Sequence, residues 1–437
     1  MAKIWIGIDD TDSPRGGCTT WVLTELVRLA RSRGIDLIGE PRLVRLNPNI
    51  PWKTRGNAAL AARFGHGRGS RRVVAELDRS PVVAYGAGSD LGTEEGRDLV
   101  REAWDRVRSV AERAPGTDPA LVATRRRLPA DLYWEAVREV VSVRAVVRRL
   151  DDLGVVHRTR GSRRGLVGAS AAIAWPGRHA TWELISYRSP ERWGTPREVD
   201  AASVRSAQRA VPELFLCHDP RTRRLLVAPH TACPILFGLR ATSPEAPPQA
   251  RLRVRSEPVD RWMLFRTNQG TGDHLVVRPG AEIGRYLSAI VDGTVASAPR
   301  VAAGGHVRFD LRDGAGTLVP CVAFEPTKTL PRVARTLEAG DRVRVWGSRG
   351  AGPGLRLEGL RLVRLMPRRS FDKPACPGCG RPARSLGLQK GYRCPGCHRR
   401  WPPEAARVRR RPPTYPVGQY HPTPSARRHL AILGPEV

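Results

Sequence analysis

Three carboxylates, followed by two hydroxyls at a helix start, crowd one short stretch near the amino terminus, Gly7-Ile8-Asp9-Asp10-Thr11-Asp12-Ser13-Pro14-Arg15-Gly16-Gly17-Cys18-Thr19-Thr20. Carboxylates gathered at one point repel one another unless a cation sits among them. Mg²⁺ takes few protein oxygens and keeps its other positions for water and phosphate. Asp9, Asp10 and Asp12 are therefore candidate Mg²⁺ ligands. Thr19 or Thr20 is placed to cap a following helix, whose free N–H groups and dipole favour a phosphate. Metal, phosphate cradle and hydroxyl so close together point to ATP chemistry. An Asp-rich turn whose acids only face solvent is the competing reading.

The second constellation is Cys376-Pro377-Gly378-Cys379 and Cys394-Pro395-Gly396-Cys397, with fourteen residues between the pairs. Two such knuckles make a tetrahedral tetrathiolate zinc site, a zinc ribbon. Four thiolates leave no open position, so Cys376, Cys379, Cys394 and Cys397 predict structural Zn²⁺, whose binding supplies folding energy to a segment with little core.

Two further stretches could hold phosphate. In the loop from Asn47 to Asn57, Lys53 offers a point charge and Arg55 a fork. Arg158 to Gly168 interleaves glycine with arginine and could wrap phosphate with backbone and guanidinium groups. A basic surface loop is the plainer reading of each.

Elements must position these groups. Ile4–Ile8 reads as a buried strand into the acids, and Val22, Leu26 and Leu29 as one face of a helix leaving them. Strands are expected at Ile35–Gly39 and Arg42–Leu46, and helices over Leu91–Arg113 and Leu132–Leu153. Beyond residue 177, Thr181–Tyr187, Ala201–Ala210, Glu213–His218, Leu225–Ala228, Pro244–Val254 and Trp262–Arg266 give the order β-α-β-β-α-β of a ferredoxin-like unit. Thr231 to Gly238 could border a pocket there. Between 282 and 366, five short strands with a helix at Arg332–Leu337 give the order of an OB-fold, a barrel that binds oligonucleotides. Phe309 and Phe324, on its second and third strands, could stack bases or belong to the core.

The chain has 437 residues and a formal charge of +32 with pI about 11.3, the footprint of a polyanion partner. Nucleic acid fits better than a membrane, since no long apolar segment is present. Scattered Cys18, Cys217, Cys233 and Cys321 show no disulfide framework, and the amino terminus runs straight into strand and acids, so a cytoplasmic protein is expected.

Taken together, these motifs resemble the archaeal tRNA 2-agmatinylcytidine synthetase (TiaS) family. The resemblance rests on the opening acid stretch with Cys18-Thr19-Thr20, Pro41 to Pro48, Lys53-Thr54-Arg55-Gly56-Asn57, Arg164-Gly165-Leu166-Val167-Gly168-Ala169, Glu257 to Arg261, Phe324 to Lys328, both Cys pairs and Pro424-Ser425-Ala426-Arg427-Arg428-His429-Leu430. It implies a multidomain α+β chain: a kinase-like ATP-dependent catalytic domain over 1–177, a ferredoxin-like domain over 178–270, an OB-fold β-barrel over 282–366, and a zinc ribbon with a basic tail over 370–437. It implies a ligase that uses ATP, cleaved to AMP and diphosphate, to join agmatine to C2 of the wobble cytidine of the isoleucine tRNA with a CAU anticodon. Decoding would then switch from AUG to AUA. It further implies autophosphorylation on Thr19, catalytic and metal roles for Asp9, Asp10 and Asp12, and ATP or phosphate contacts from Lys53, Arg55, Asn57, Arg164 and Gly165. No protein partner is implied. The loop Ser162-Arg163-Arg164-Gly165 departs from the family's Lys-Gly-Arg-Gly, which puts a lysine-specific phosphate role there in doubt. The rival readings are a nucleic-acid-binding protein without ligase activity and another ATP-dependent tRNA-modifying enzyme.

Overall fold

The computed structural model describes residues 3–13, 16–53, 56–112, 116–387 and 389–434. Its first half is built on one 11-stranded sheet. Ile4–Asp9 lies inside it, antiparallel to Ala58–Leu77 on one side and to Ala120–Thr124 on the other. Strand alternation sends Ile4, Ile6 and Ile8 to the core under the helices Thr19–Ser32 and Thr93–Glu112. Trp5, Gly7 and Asp9 must then face the opposite layer, formed by the helices Asp131–Arg138, Val143–Asp152 and Gly165–Ala174.

Leu132–Leu153 is thus two helices, not one. Glu139 is extended (φ −120°, ψ 177°) and Ser142 caps the second helix, with the β-branched pair Val140-Val141 between them. The stretch Arg158–Gly168 is not one loop either. It takes in the end of the strand Val156–Thr159 and the start of the Gly165–Ala174 helix. That helix is apolar all round and buried on every side, so it shows no amphipathic period.

The sheet continues into the next segment. Arg261–Thr267 pairs with Thr181–Tyr187 and, in parallel, with Arg42–Arg45. The local strand order is Leu214–Phe215, Ile235–Ala241, Thr181–Tyr187, Arg261–Thr267. The third strand expected at Leu225–Ala228 lies instead at Ile235–Ala241, and Arg224–Leu225 only pairs with His218–Asp219. Pro229 stops the earlier run before it can span the sheet. The second helix is confined to Ala246–Arg251.

Ser288–Val295, Val307–Asp313, Leu318–Ala323, Arg342–Arg349 and Leu355–Arg364 close into a five-stranded barrel. The first strand pairs with both the fourth and the second, and the third pairs in parallel with the fifth. Its helix, Thr329–Ala334, begins ahead of the expected Arg332–Leu337. Pro331 falls in the first turn, where its missing N–H costs nothing. Phe309 belongs to the barrel core, whereas Phe324 is half-buried, edge-on to His306 at 4.9 Å. No described helix is long and apolar enough to cross a membrane.

Candidate active site

The acid stretch is held by close packing of strand on helix. A Cβ on Gly7 would lie 2.2 Å from the Ala169 carbonyl oxygen, and one on Gly168 would lie 1.8 Å from Asp9 Oδ2. Only glycine at both positions lets the buried helix sit against the strand and leaves room for the Asp9 carboxylate. The chain turns sharply next, with Asp10 at φ +58°, a conformation that Asp tolerates better than most residues. Asp10 N–H donates to Asp9 Oδ1 at 2.7 Å.

Asp118, which the sequence did not single out, joins this cluster. Its N–H donates to the Asp10 carbonyl at 3.0 Å, and its Oδ2 accepts from Ser162 N–H at 2.7 Å. Its Oδ1 is buried with no hydrogen-bond partner among the described residues. Burial, then Asp10, holds the Asp9 carboxyl well above the usual carboxylate range. Burial, then Asp118 and Asp12, pushes Asp10 up to about 7. The cluster is an electrostatic demand for positive charge. Its carboxylates do not close round one point: among the described residues, only the four cysteines bring three or more such ligand atoms within 4.8 Å of one another.

Asp9, Asp10 and Asp12 line a cavity of about 670 Å³ that also meets Thr19, Lys53, Asn57, Arg164 and Gly165. Thr19 is the first residue of its helix rather than the cap. Cys18 takes the cap position in extended geometry (φ −167°, ψ 114°), offers no side-chain cap bond, and its carbonyl accepts from Val22 N–H at 3.0 Å. The helix therefore starts one residue earlier than a capping threonine requires. Thr20 Oγ1 is engaged with Cys18 Sγ at 3.0 Å.

The phosphate candidates divide by role. Gly165 opens its helix at the cavity, and the Arg164 guanidinium stacks over Trp52 at 4.4 Å and opposes the rise of the Asp10 pKa. Lys53 donates to the Pro48 carbonyl, and burial with Arg428 nearby depresses its pKa. Asn57 donates to the Asn47 carbonyl at 2.8 Å and so closes the base of the loop. Arg55 lies outside the described residues.

The facing wall comes from distant parts of the chain. Glu183 Oε1 accepts from Arg240 at 3.1 Å, and its Oε2 accepts from Gln269 at 2.5 Å. Gln269 Oε1 then faces His429 Nδ1 at 2.9 Å, which puts the ring proton on Nδ1. Burial, then Arg45 and Arg240, holds His429 well below its ordinary pKa, so it is neutral. Ile235 and Gly238 also line the cavity, so the Thr231–Gly238 stretch does border a pocket. The carboxy-terminal tail reaches this wall by returning past the barrel. Ser425 N–H donates to Asp219 at 3.0 Å, Arg428 pairs with Glu358 at 3.3 Å, and Gly270 N–H donates to the His429 carbonyl at 2.8 Å. Glu183, Arg240, Gln269 and His429 carry no local motif. The tail was legible only as part of a family pattern.

The four cysteine thiols form a separate cluster, with Cys376–Cys397 at 3.3 Å and Cys379–Cys394 at 3.4 Å. A tetrahedral zinc–thiolate site needs sulfurs about 3.8 Å apart, which this set meets with slight expansion. The charge run Arg407–Arg411 is a strand paired with Arg368–Asp372, joining the ribbon to the barrel.

Comparison with known proteins agrees with this layout. Family models match residues 5–161 (TiaS TCKD domain), 163–274 (TiaS FLD domain) and 373–411 (TiaS C-terminal zinc ribbon domain). A Methanosarcina mazei protein named as the isoleucine-tRNA 2-agmatinylcytidine synthetase TiaS is 36% identical over 433 residues, 98% of this chain and 96% of that one. The crystal structure of a complex of TiaS with its isoleucine tRNA and ATP superposes with a TM-score of 0.80 at 33% identity, covering 99% of this chain and 96% of the other. A complex of TiaS with the same tRNA, AMPCPP and agmatine gives 0.78 at 31% identity, with the same coverages. With matches spanning the acid stretch, the barrel and the ribbon alike, the chain belongs to the tRNA 2-agmatinylcytidine synthetase (TiaS) family.

Proposed function

We propose that this chain is an ATP-dependent ligase joining agmatine to C2 of the wobble cytidine of the CAU-anticodon isoleucine tRNA. The observation that carries this reading is one cavity holding a buried acid cluster, a helix-start threonine and basic phosphate holders, in a chain aligned end to end with proteins of that name. In this reading residues 1–177 form the kinase-like catalytic domain and 178–270 a ferredoxin-like domain. Residues 282–366 form an OB-fold, and 370–437 the zinc ribbon and basic tail, both of which hold the tRNA.

Cytosine's 2-carbonyl is a poor electrophile, and phosphorylating its oxygen makes a leaving group. The outer phosphates of ATP supply the group on that oxygen and AMP is left; the agmatine amine attacks C2, the C2–O bond breaks, the oxygen departs within the phosphate it carries, and the amine gives up a proton. Phosphoryl transfer is mainly positioning and charge neutralisation. Lys53 and Arg164 hold ATP oxygens, Gly165 presents helix N–H groups to them, and Asn57 keeps the Lys53 loop closed. Thr19 Oγ accepts a phosphoryl group at a helix start that favours the anion. Asp9, Asp10 and Asp12, with Asp118 beside them, fit a hydrated Mg²⁺: Asp9 and Asp10 are raised in pKa by burial and by neighbouring acids, and Asp118 Oδ1 has no hydrogen-bond partner among the described residues. When bound, that ion neutralises ATP phosphate charge. The target base must leave the anticodon stack to enter the cavity.

A pH signature follows from Asp10. Between its ordinary value of 3.8 and about 7, the folded state keeps a proton that the unfolded state has lost. Stability therefore falls as pH rises through that window. Without Mg²⁺, the melting temperature should drop more between pH 5 and pH 8 in the native protein than in Asp10→Asn. Mg²⁺ should restore it at pH 8 and do little at pH 5, where protons compete. Equal stabilisation by Mg²⁺ at both pH values, and in Asp10→Asn, would place the ion elsewhere.

ATP consumption separates this reading from a plain nucleic-acid-binding protein. AMP release should require the isoleucine tRNA transcript together with agmatine. Tight tRNA binding with no AMP release under any combination would favour the binding protein.

A further inference from the structure

Three arginines share two tryptophan rings at the end of the sheet remote from the cavity, and a fourth joins them. Arg42 lies 4.2 Å over Trp5 and 5.8 Å over Trp175; Arg63 lies 5.4 Å over Trp5, and Arg266 6.0 Å over Trp175. Arg127 completes the group by donating to the Trp175 carbonyl at 3.1 Å, beside the Arg42 bond to the same oxygen at 3.0 Å. Among the described residues, none of the four has a carboxylate within ion-pair distance.

The elements that build the cavity also separate it from this cluster. Ile4–Asp9 carries Trp5 near one end and Asp9 at the other, and Arg42–Arg45 carries Arg42 at one end and the cavity residue Arg45 at the other. Gly165–Ala174 starts at the cavity and ends just before Trp175. A helix of that length spans about 15 Å.

Capping of that helix explains part of the arrangement. Arg42 donates to the carbonyls of Ile173 and Trp175, Arg127 to Trp175, and Arg266 to Gly177 at 2.7 Å. These bonds use one nitrogen of each guanidinium. A helix carboxyl terminus offers about half a negative charge against four positive ones. Arg63 reaches none of these carbonyls, and the Nε atoms of Arg63 and Arg266 are buried with no hydrogen-bond partner among the described residues. Burial, then the neighbouring Arg127, Arg266 and Arg63, presses Arg42 down to about 9. The indole faces attract the Arg42, Arg63 and Arg266 guanidinium groups, and the nitrogens of the cluster that are not spent on carbonyls are donors an oxyanion can use.

We propose that this arginine–tryptophan cluster is a second phosphate-binding site, distinct from the ATP cavity. It takes a phosphate oxyanion, supplied by an RNA backbone or by free phosphate or diphosphate. The RNA source rests on the tRNA reading above; the free-anion source does not. The full-length, zinc-loaded protein is compared with Arg63→Gln, Arg127→Gln and the double variant. Arg209→Gln, on an exposed face of the Ala201–Ala210 helix, controls for net charge. Melting in chloride alone reports whether each variant folds, and Arg127, being exposed, gives a variant that does not disturb packing.

At matched ionic strength, inorganic phosphate or diphosphate should raise the melting temperature of the native protein more than that of the double variant. For the isoleucine tRNA transcript, the slope of log affinity against log salt should flatten by about 1 for each arginine removed. Arg209→Gln should change neither. A lost salt slope identifies RNA as the source, and a lost anion effect alone identifies the free anion. Folded variants that retain both would overturn the proposal and leave the cluster as a helix cap.

Discussion

Thr19→Val should abolish incorporation of labelled γ-phosphate into the protein and slow agmatine transfer by about a hundredfold or more. The exchange removes one hydroxyl at nearly constant shape. Thr19 is the first residue of the Thr19–Ser32 helix and faces the acid cavity, where helix N–H groups and dipole stabilise a phosphate. Thr20 also lines the cavity, but its hydroxyl is engaged with Cys18. Thr20→Val should therefore keep phosphate incorporation, and Thr19→Ser, which restores a hydroxyl, should recover it. Mass spectrometry of the peptide carrying residues 16–28 reads all three. Phosphate found on Thr20 in the native protein would reverse the assignment.

Asp10→Asn should cut turnover by about a hundredfold or more, while tRNA affinity changes by no more than about twofold. The substitution keeps size and removes one charge at the residue that Asp9, Asp12 and Asp118 all neighbour. Metal, phosphate clamp and nucleophile act as a unit, so loss of one member costs far more than a hydrogen bond. A net charge of +32, by contrast, offers many other positive groups to tRNA phosphates. An equal loss in turnover and tRNA affinity would mean that Asp10 holds the fold rather than the chemistry. Gly168→Ala probes the same point from behind, because its methyl would meet the Asp9 carboxylate.

Local order was legible in the sequence wherever one element carried the whole signal. The apolar, β-branched run Ile4–Ile8 predicts a buried strand leading into the acids, and the cysteine spacing predicts a cluster that the fold assembles. Barrel strands were legible for the same reason. The hairpin Ala58–Leu77 with Ser80–Ser89 was not: its middle, His66 to Arg72, is glycine- and arginine-rich and reads as loop, and its turn is made by Asp78 and Arg79 at φ +52° and +58° without glycine. The Gly165–Ala174 helix was hidden because burial on all sides erases the helical period.

Within the site, the acids of the opening stretch were legible because they are adjacent in sequence. Asp118 and Glu183 were not. Strand pairing brings each into place: Asp118 beside Asp10 at the entry to Ala120–Thr124 next to Ile4–Asp9, and Glu183 to the cavity wall on Thr181–Tyr187 after the sheet has joined two segments. His429 arrives from the far end of the chain by way of the barrel. Thr19 opens the helix rather than capping it, because Cys18 holds the cap position.

The most direct measurement is transfer of label from agmatine to RNA. Full-length protein is incubated with ATP, Mg²⁺, ¹⁴C-agmatine and a transcript of the isoleucine tRNA with a CAU anticodon. The RNA is then digested to nucleosides. Label should appear at the wobble cytidine, require ATP, and be lost when that cytidine is replaced by uridine. Label that never enters the RNA, while AMP and diphosphate still form, would contradict it.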